Sequence, residues 1–120
     1  MKKILSAAAL FSVLFLASCT STPDALYSWY GYPAAASDYA RNPEDTKLEA
    51  LLFQYEKIMT GKDSALRQEV PPGLCADYGF MLIQAGRTAE GMELLDREVQ
   101  LYPESEILVQ KLVSKIRKED

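Results

Sequence analysis

The chain predicts an all-α domain, and three observations carry that expectation. Apolar side chains recur every three to four positions in four segments between residues 43 and 118, the spacing of one helix face. No segment sustains the two-residue alternation of a half-buried strand. The strongest breakers, Gly61, Pro71-Pro72-Gly73, Gly86 and Pro103, fall between the periodic stretches.

The N-terminus has a different logic. Lys2 and Lys3 form a positive start, Ile4 to Leu16 are apolar apart from small and hydroxyl residues, and Leu16-Ala17-Ser18-Cys19 closes the run. That closing tetrad is a lipobox. A membrane peptidase needs small side chains beside the scissile bond, and a thiol can be alkylated by diacylglycerol. The run is shorter than the roughly 20 residues of a spanning helix. Residues 1–18 therefore read as a lipoprotein signal peptide, Cys19 as the lipidation site, and 19–26 as a polar, lipidated tether. Residues 1–19 resemble the bacterial lipoprotein signal family, which implies two or three acyl chains on Cys19. Each buried methylene contributes about 0.8 kcal/mol and a single chain binds only reversibly, so several make attachment effectively permanent. Thr20, where Asp would favour inner-membrane retention in enterobacteria-like sorting, points to the outer membrane with the domain facing the periplasm.

Residues 27–42 form an aromatic segment with Tyr27, Trp29, Tyr30, Tyr32 and Tyr39. Gly31 and Pro33 interrupt regular structure there, and Ala34 to Arg41 suit a short helix. Tyr27, Trp29 and Tyr32 are the candidate partner-binding residues, because Tyr and Trp dominate interaction hot spots. The other reading is that the segment folds back into the groove of its own hairpins, since a small domain needs its large side chains for the core.

The helical domain is expected over 43–118. Asn42 should cap a helix with Pro43 in its first turn and Glu44 and Asp45 on its positive end. Leu48, Leu51, Leu52, Tyr55, Ile58 and Met59 share its face, and Gly61 stops it. Asp63 or Ser64 could cap a brief turn before the proline pair. The next helix opens after Pro71-Pro72, buries Leu74, Tyr78, Met81, Leu82 and Ala85, and ends at Gly86. Thr88 should cap a third, with Met92, Leu95, Val99 and Tyr102 inward until Pro103. Ser105 should cap a fourth through Leu108, Leu112, Val113 and Ile116, with Arg117 and Lys118 suited to its C-terminus.

Residues 72–105 resemble one tetratricopeptide repeat. Gly79 takes the helix crossing, Gly86 the turn and Gly91 the small position of the second helix. Leu95 is the large apolar residue and Pro103 closes the unit. Helices about 8–10 Å apart require residues without bulk where they cross. The chain departs from that pattern at Cys75, Leu82 and Glu98. One repeat cannot bury its own apolar face, so the flanking helices must cap it, giving a stack of about four to five helices. Even so, the stack is short, and some concave apolar surface is expected to remain for a partner.

More widely, Leu26-Tyr27-x-Trp29-x-x-Tyr32, Val70-Pro71-Pro72-Gly73 with Ala76 and Gly79, and Glu98 through Leu101-Tyr102-Pro103-Glu104-Ser105 resemble a family of short bacterial lipoproteins of unknown function. Genes of that family commonly sit beside lipoproteins similar to the curli secretion channel, which implies an accessory or assembly role. This chain departs at Tyr30-Gly31 and at Cys75 and Asp77, where members often carry histidine.

Composition narrows the chemistry. The formal net charge is −4, more negative once Lys2 and Lys3 are removed, which argues against nucleic acid and against a second, electrostatic attachment to anionic lipid. There is no histidine, the residue most used for proton transfer and zinc binding, and no metal or other cofactor is expected. With Cys19 committed to lipid, Cys75 has no disulfide partner and should be a buried, structural thiol. Carboxylates at Asp45 and Glu49, at Glu93, Asp96 and Glu98, and at Glu104 and Glu106 read as a solvated face rather than a glycosidase pair. Ser64 and Ser105 lack a base. The expectation is a non-enzymatic outer-membrane lipoprotein that binds an envelope protein. An envelope enzyme using peptidoglycan or thiol chemistry, and a self-assembling structural lipoprotein, are the alternatives.

Overall fold

A computed structural model describes residues 25–61 and 65–119. The signal peptide, Cys19 with most of the tether, and the caps expected at Asp63 or Ser64 lie outside the described residues. Within them the fold is all-helical. The helices are α1 (Tyr32–Arg41), α2 (Asp45–Thr60), α3 (Leu74–Gln84), α4 (Thr88–Leu101) and α5 (Glu106–Glu119), with a 3-10 turn at Pro103–Ser105 before α5. Each helix packs against the next in the chain, and α3 with α4 makes the most intimate pair.

Glycine sets that intimacy. A Cβ added to Gly79 would stand 2.6 Å from the carbonyl oxygen of Gly91, and one on Gly91 would stand 2.5 Å from that of Gly79. The two backbones therefore touch, and no side chain fits between them. Gly86 ends α3 in a left-handed conformation, φ +82°. Its N–H bonds the Ile83 carbonyl and the Arg87 N–H bonds that of Leu82, so the last turn's acceptors are satisfied.

Three apolar clusters run along the stack. Leu51, Tyr55, Ile58 and Leu74 join α2 to α3, and Tyr30, Tyr32, Ala35, Ala36 and Tyr39 of the aromatic segment pack onto them. Leu48, Leu52 and Leu82 continue that seam. Ala76, Leu95 and Val109 join α3, α4 and α5. Cys75 is fully buried, its sulfur 3.8 Å from that of Met59.

Several local expectations are corrected. Pro33 does not interrupt α1 but lies in its first turn, where its fixed φ suits a helix and no N–H is needed. Asn42 closes α1, its N–H bonding the Asp38 carbonyl. Its side-chain amide is spent on Glu44, so α2 starts at Asp45 without a side-chain cap. Thr88 is the first residue of α4 rather than its cap. Ser105 sits in the 3-10 turn and turns its hydroxyl inward to Glu98. On α5 the buried residue is Val109, whereas Leu108 is half exposed.

Candidate functional site

The aromatic segment builds a continuous row of rings across the start of the stack. Tyr27 meets Trp29 edge-on at 6.3 Å between ring centroids. Trp29 meets Tyr32 at 5.7 Å, and Tyr32 meets Tyr55 edge-on at 5.2 Å. Tyr55 stacks flat on Tyr78 at 5.1 Å. Such geometries add about 0.5–1.5 kcal/mol per pair beyond burial. α1 supplies Tyr32, α2 Tyr55 and α3 Tyr78, so the row exists only when three helices are in register.

Asp77 anchors the buried end. Its carboxylate accepts hydrogen bonds from the hydroxyls of Tyr55 and Tyr32, the latter at 3.2 Å. Burial, and then the bond to Asp77 and its negative charge, push the Tyr55 hydroxyl far above its ordinary range. Burial also raises that of Tyr32. Both hydroxyls therefore stay protonated as donors, and the carboxylate locks α1 and α2 onto α3.

The backbone aims the row as well. The Gly31 N–H donates to Gln54 Oε1 at 3.0 Å. Tyr30 takes a left-handed conformation, φ +46°, and its ring carries Lys57 Nζ at 4.7 Å. On the other flank, Arg67 donates to the Tyr27 hydroxyl at 3.3 Å.

The structure thus divides the three candidate partner-binding residues. Tyr32 is half-buried and fills its own groove. Tyr27 is half-buried at the rim. Trp29 keeps 40% of its surface exposed, held from behind by Tyr32. Asp77, Tyr55 and Tyr78 were not singled out as site residues from sequence; the available signal was several tyrosines on helix faces with one carboxylate beside Tyr78.

A second polar feature corrects the carboxylate reading. Glu98 is fully buried, 0% exposed, although Glu93 and Asp96 are exposed as expected. Its Oε1 accepts the Gly73 N–H at 2.7 Å and the Ser105 hydroxyl at 3.1 Å. Oε2 has no hydrogen-bond partner among the described residues. The Tyr102 hydroxyl donates to the Val70 carbonyl close by. The Pro-Pro-Gly block and the Glu98–Ser105 block, distant in sequence, are therefore one junction that fixes the entry to α3 against the exit of α4. Gly73 serves it with φ +85°. The junction shapes the scaffold, and its outer residues Val70 and Tyr102 line a surface cavity of about 390 Å³ with Glu69, Arg97 and Leu101.

Burial raises the Cys75 thiol above its ordinary value, with the Glu98 charge adding to the shift. That is the opposite of the activation a nucleophilic thiolate requires. Among the described residues, no group of three or more His, Cys, Asp or Glu side chains could hold a metal ion. None of the described helices is long and apolar enough to cross a membrane.

Residues 26–112 match the family described as Domain of unknown function (DUF4810). The match takes in the aromatic row, both blocks of the Glu98 junction and most of the helical stack. No curated protein matches, and no solved structure does.

Proposed function

We propose that this chain, which belongs to the DUF4810 family, is an outer-membrane lipoprotein that faces the periplasm and holds another envelope protein without catalysing a reaction. The observation that carries the reading is Trp29, left 40% exposed near the outer end of a ring row whose inner members Tyr32 and Tyr55 are pinned by Asp77. A large aromatic side chain held rigid before contact loses little conformational freedom on binding, which is what a hot-spot anchor needs. Tyr27 and the edge of Tyr32 complete the contact.

The lipobox supports the location. Acylated at Cys19, the domain meets partners confined to the same surface, and the short tether acts as a linker that raises their effective concentration. The resemblance to lipoproteins encoded beside proteins similar to the curli secretion channel makes an assembly of that kind the first partner to test.

The test is site-specific photo-crosslinking in intact cells from a benzoylphenylalanine placed at position 29. A discrete adduct with one envelope protein, absent when the crosslinker stands at exposed Glu93, is expected. Recovery of monomer alone from position 29 sinks the reading, and a dimer of this chain replaces it with self-assembly.

A further inference from the structure

Two exposed leucines forty positions apart meet where the chain arrives from Cys19. Leu26 is 52% exposed and Leu66 is 62% exposed. Their backbones are tied: the Leu66 N–H donates to the Ala25 carbonyl at 3.3 Å and the Arg67 N–H to the Leu26 carbonyl at 3.0 Å. Arg67, also exposed, stands beside them with its guanidinium on the Tyr27 hydroxyl. Glu69 is the acidic group whose charge acts on it.

We infer that Leu26, Leu66 and Arg67 form a second, non-covalent membrane contact that seats the domain on the phospholipid surface holding its anchor. The inference rests on lipidation of Cys19. Six residue steps separate Cys19 from Ala25, a reach of at most about 20 Å when fully extended. Ala25 is itself bonded to Leu66. This edge is therefore never far from the headgroups once the acyl chains are inserted.

The chemistry suits that boundary. The acidic balance of the chain gives no general attraction to anionic lipid, so entry of the leucine side chains into the acyl–headgroup zone carries the contact, and Arg67 adds one local pairing with a lipid phosphate. A contact too weak to bind alone is effective on so short a tether, because the local concentration of bilayer is high. The consequence is orientation: a domain seated at two points presents the Trp29 rim at a fixed height, whereas one on a free tether tumbles.

The experiment uses the full lipidated protein in vesicles of phosphatidylethanolamine and phosphatidylglycerol containing an acyl-chain carbene photolabel. Labelled peptides are mapped by mass spectrometry. Ile107 and Leu108 are comparably exposed apolar residues on α5, and they serve as the internal reference. Peptides holding Leu26 and Leu66 should label roughly fivefold more than those holding the reference residues. In Leu26→Ser/Leu66→Ser, that excess should vanish while the protein stays on the vesicles through its acyl chains. Equal labelling of the two regions, or an excess that survives the double substitution, overturns the inference. A wild-type protein that does not float with vesicles overturns the anchor reading itself, and this inference with it.

Discussion

Replacing Glu98 by alanine should be among the most damaging single changes in the domain. Glu98 is fully buried, and its Oε1 is the acceptor for both the Gly73 N–H and the Ser105 hydroxyl. Truncation strands two half-buried donors at about 1–3 kcal/mol each and leaves a cavity besides. The expected loss is about 3–5 kcal/mol, a large share of the roughly 5–15 kcal/mol that holds a domain together. Glu98→Gln keeps the carbonyl acceptor and changes mainly the second position, where Oε2 has no partner, so it should cost about 1 kcal/mol. Urea unfolding of the unlipidated domain, followed by far-UV circular dichroism, reads both. With a slope of about 1–3 kcal/mol per molar urea, the alanine variant shifts its midpoint by a molar unit or more and the glutamine variant by much less. Ser105→Ala should cost about 1 kcal/mol in the wild type and almost nothing in the alanine background, because the acceptor has already gone. Equal losses for alanine and glutamine, or an unchanged midpoint for alanine, would show that these hydrogen bonds are not what Glu98 supplies.

Three further outcomes follow from the same contacts. Gly79→Ala forces a methyl within 2.6 Å of the Gly91 carbonyl, so α3 and α4 must separate at a cost of about 1–3 kcal/mol or more, measurable in the same urea titration. Alkaline pH should destabilise the fold. Tyr55 keeps its proton when folded but releases it near its ordinary 10.0 when unfolded, so above that value the unfolded state binds fewer protons. Stability then falls with rising pH by about 1.4 kcal/mol per unit for this group, and Tyr55→Phe should flatten the slope; a slope unchanged by that substitution contradicts the buried Asp77 contact. Iodoacetamide should leave Cys75 unmodified in the native protein and alkylate it in urea, whereas rapid native alkylation would place the thiol in an accessible site.

How much of this was legible in the sequence depends on the range of the interaction concerned. Helix identity follows from local periodicity, and the Gly79–Gly91 crossing was readable because only residues without bulk allow such an approach. Capping was misread at Asn42 and Ser105 because the amide and the hydroxyl had competing uses that only the folded chain reveals, and at Thr88 because the helix already begins there. Asn42 spends its amide on Glu44, and Ser105 spends its hydroxyl on Glu98. Glu98 looked solvated because charged neighbours surround it in sequence. The stripe Gly91, Leu95, Glu98 and Tyr102 nevertheless has helical spacing, and its other members pack inward or against the 70–73 turn. The aromatic segment was seen as a unit with two open readings; Tyr32 turns inward, as the groove-filling reading expects, while Trp29 stays at the surface. Asp77 was noted only as a departure from the family's histidine; its anchoring role went unread because its partners Tyr32 and Tyr55 come from two other helices, which no local pattern encodes.

Lipid attachment at Cys19 is the premise on which the partner and membrane readings both stand. Metabolic labelling with palmitate, followed by density separation of the inner and outer membranes, tests it with wild type and Cys19→Ala side by side. The account predicts label on the wild-type protein in the outer-membrane fraction, with the variant unlabelled and released. An unlabelled wild type, or a variant that stays in that fraction as firmly as its parent, contradicts it.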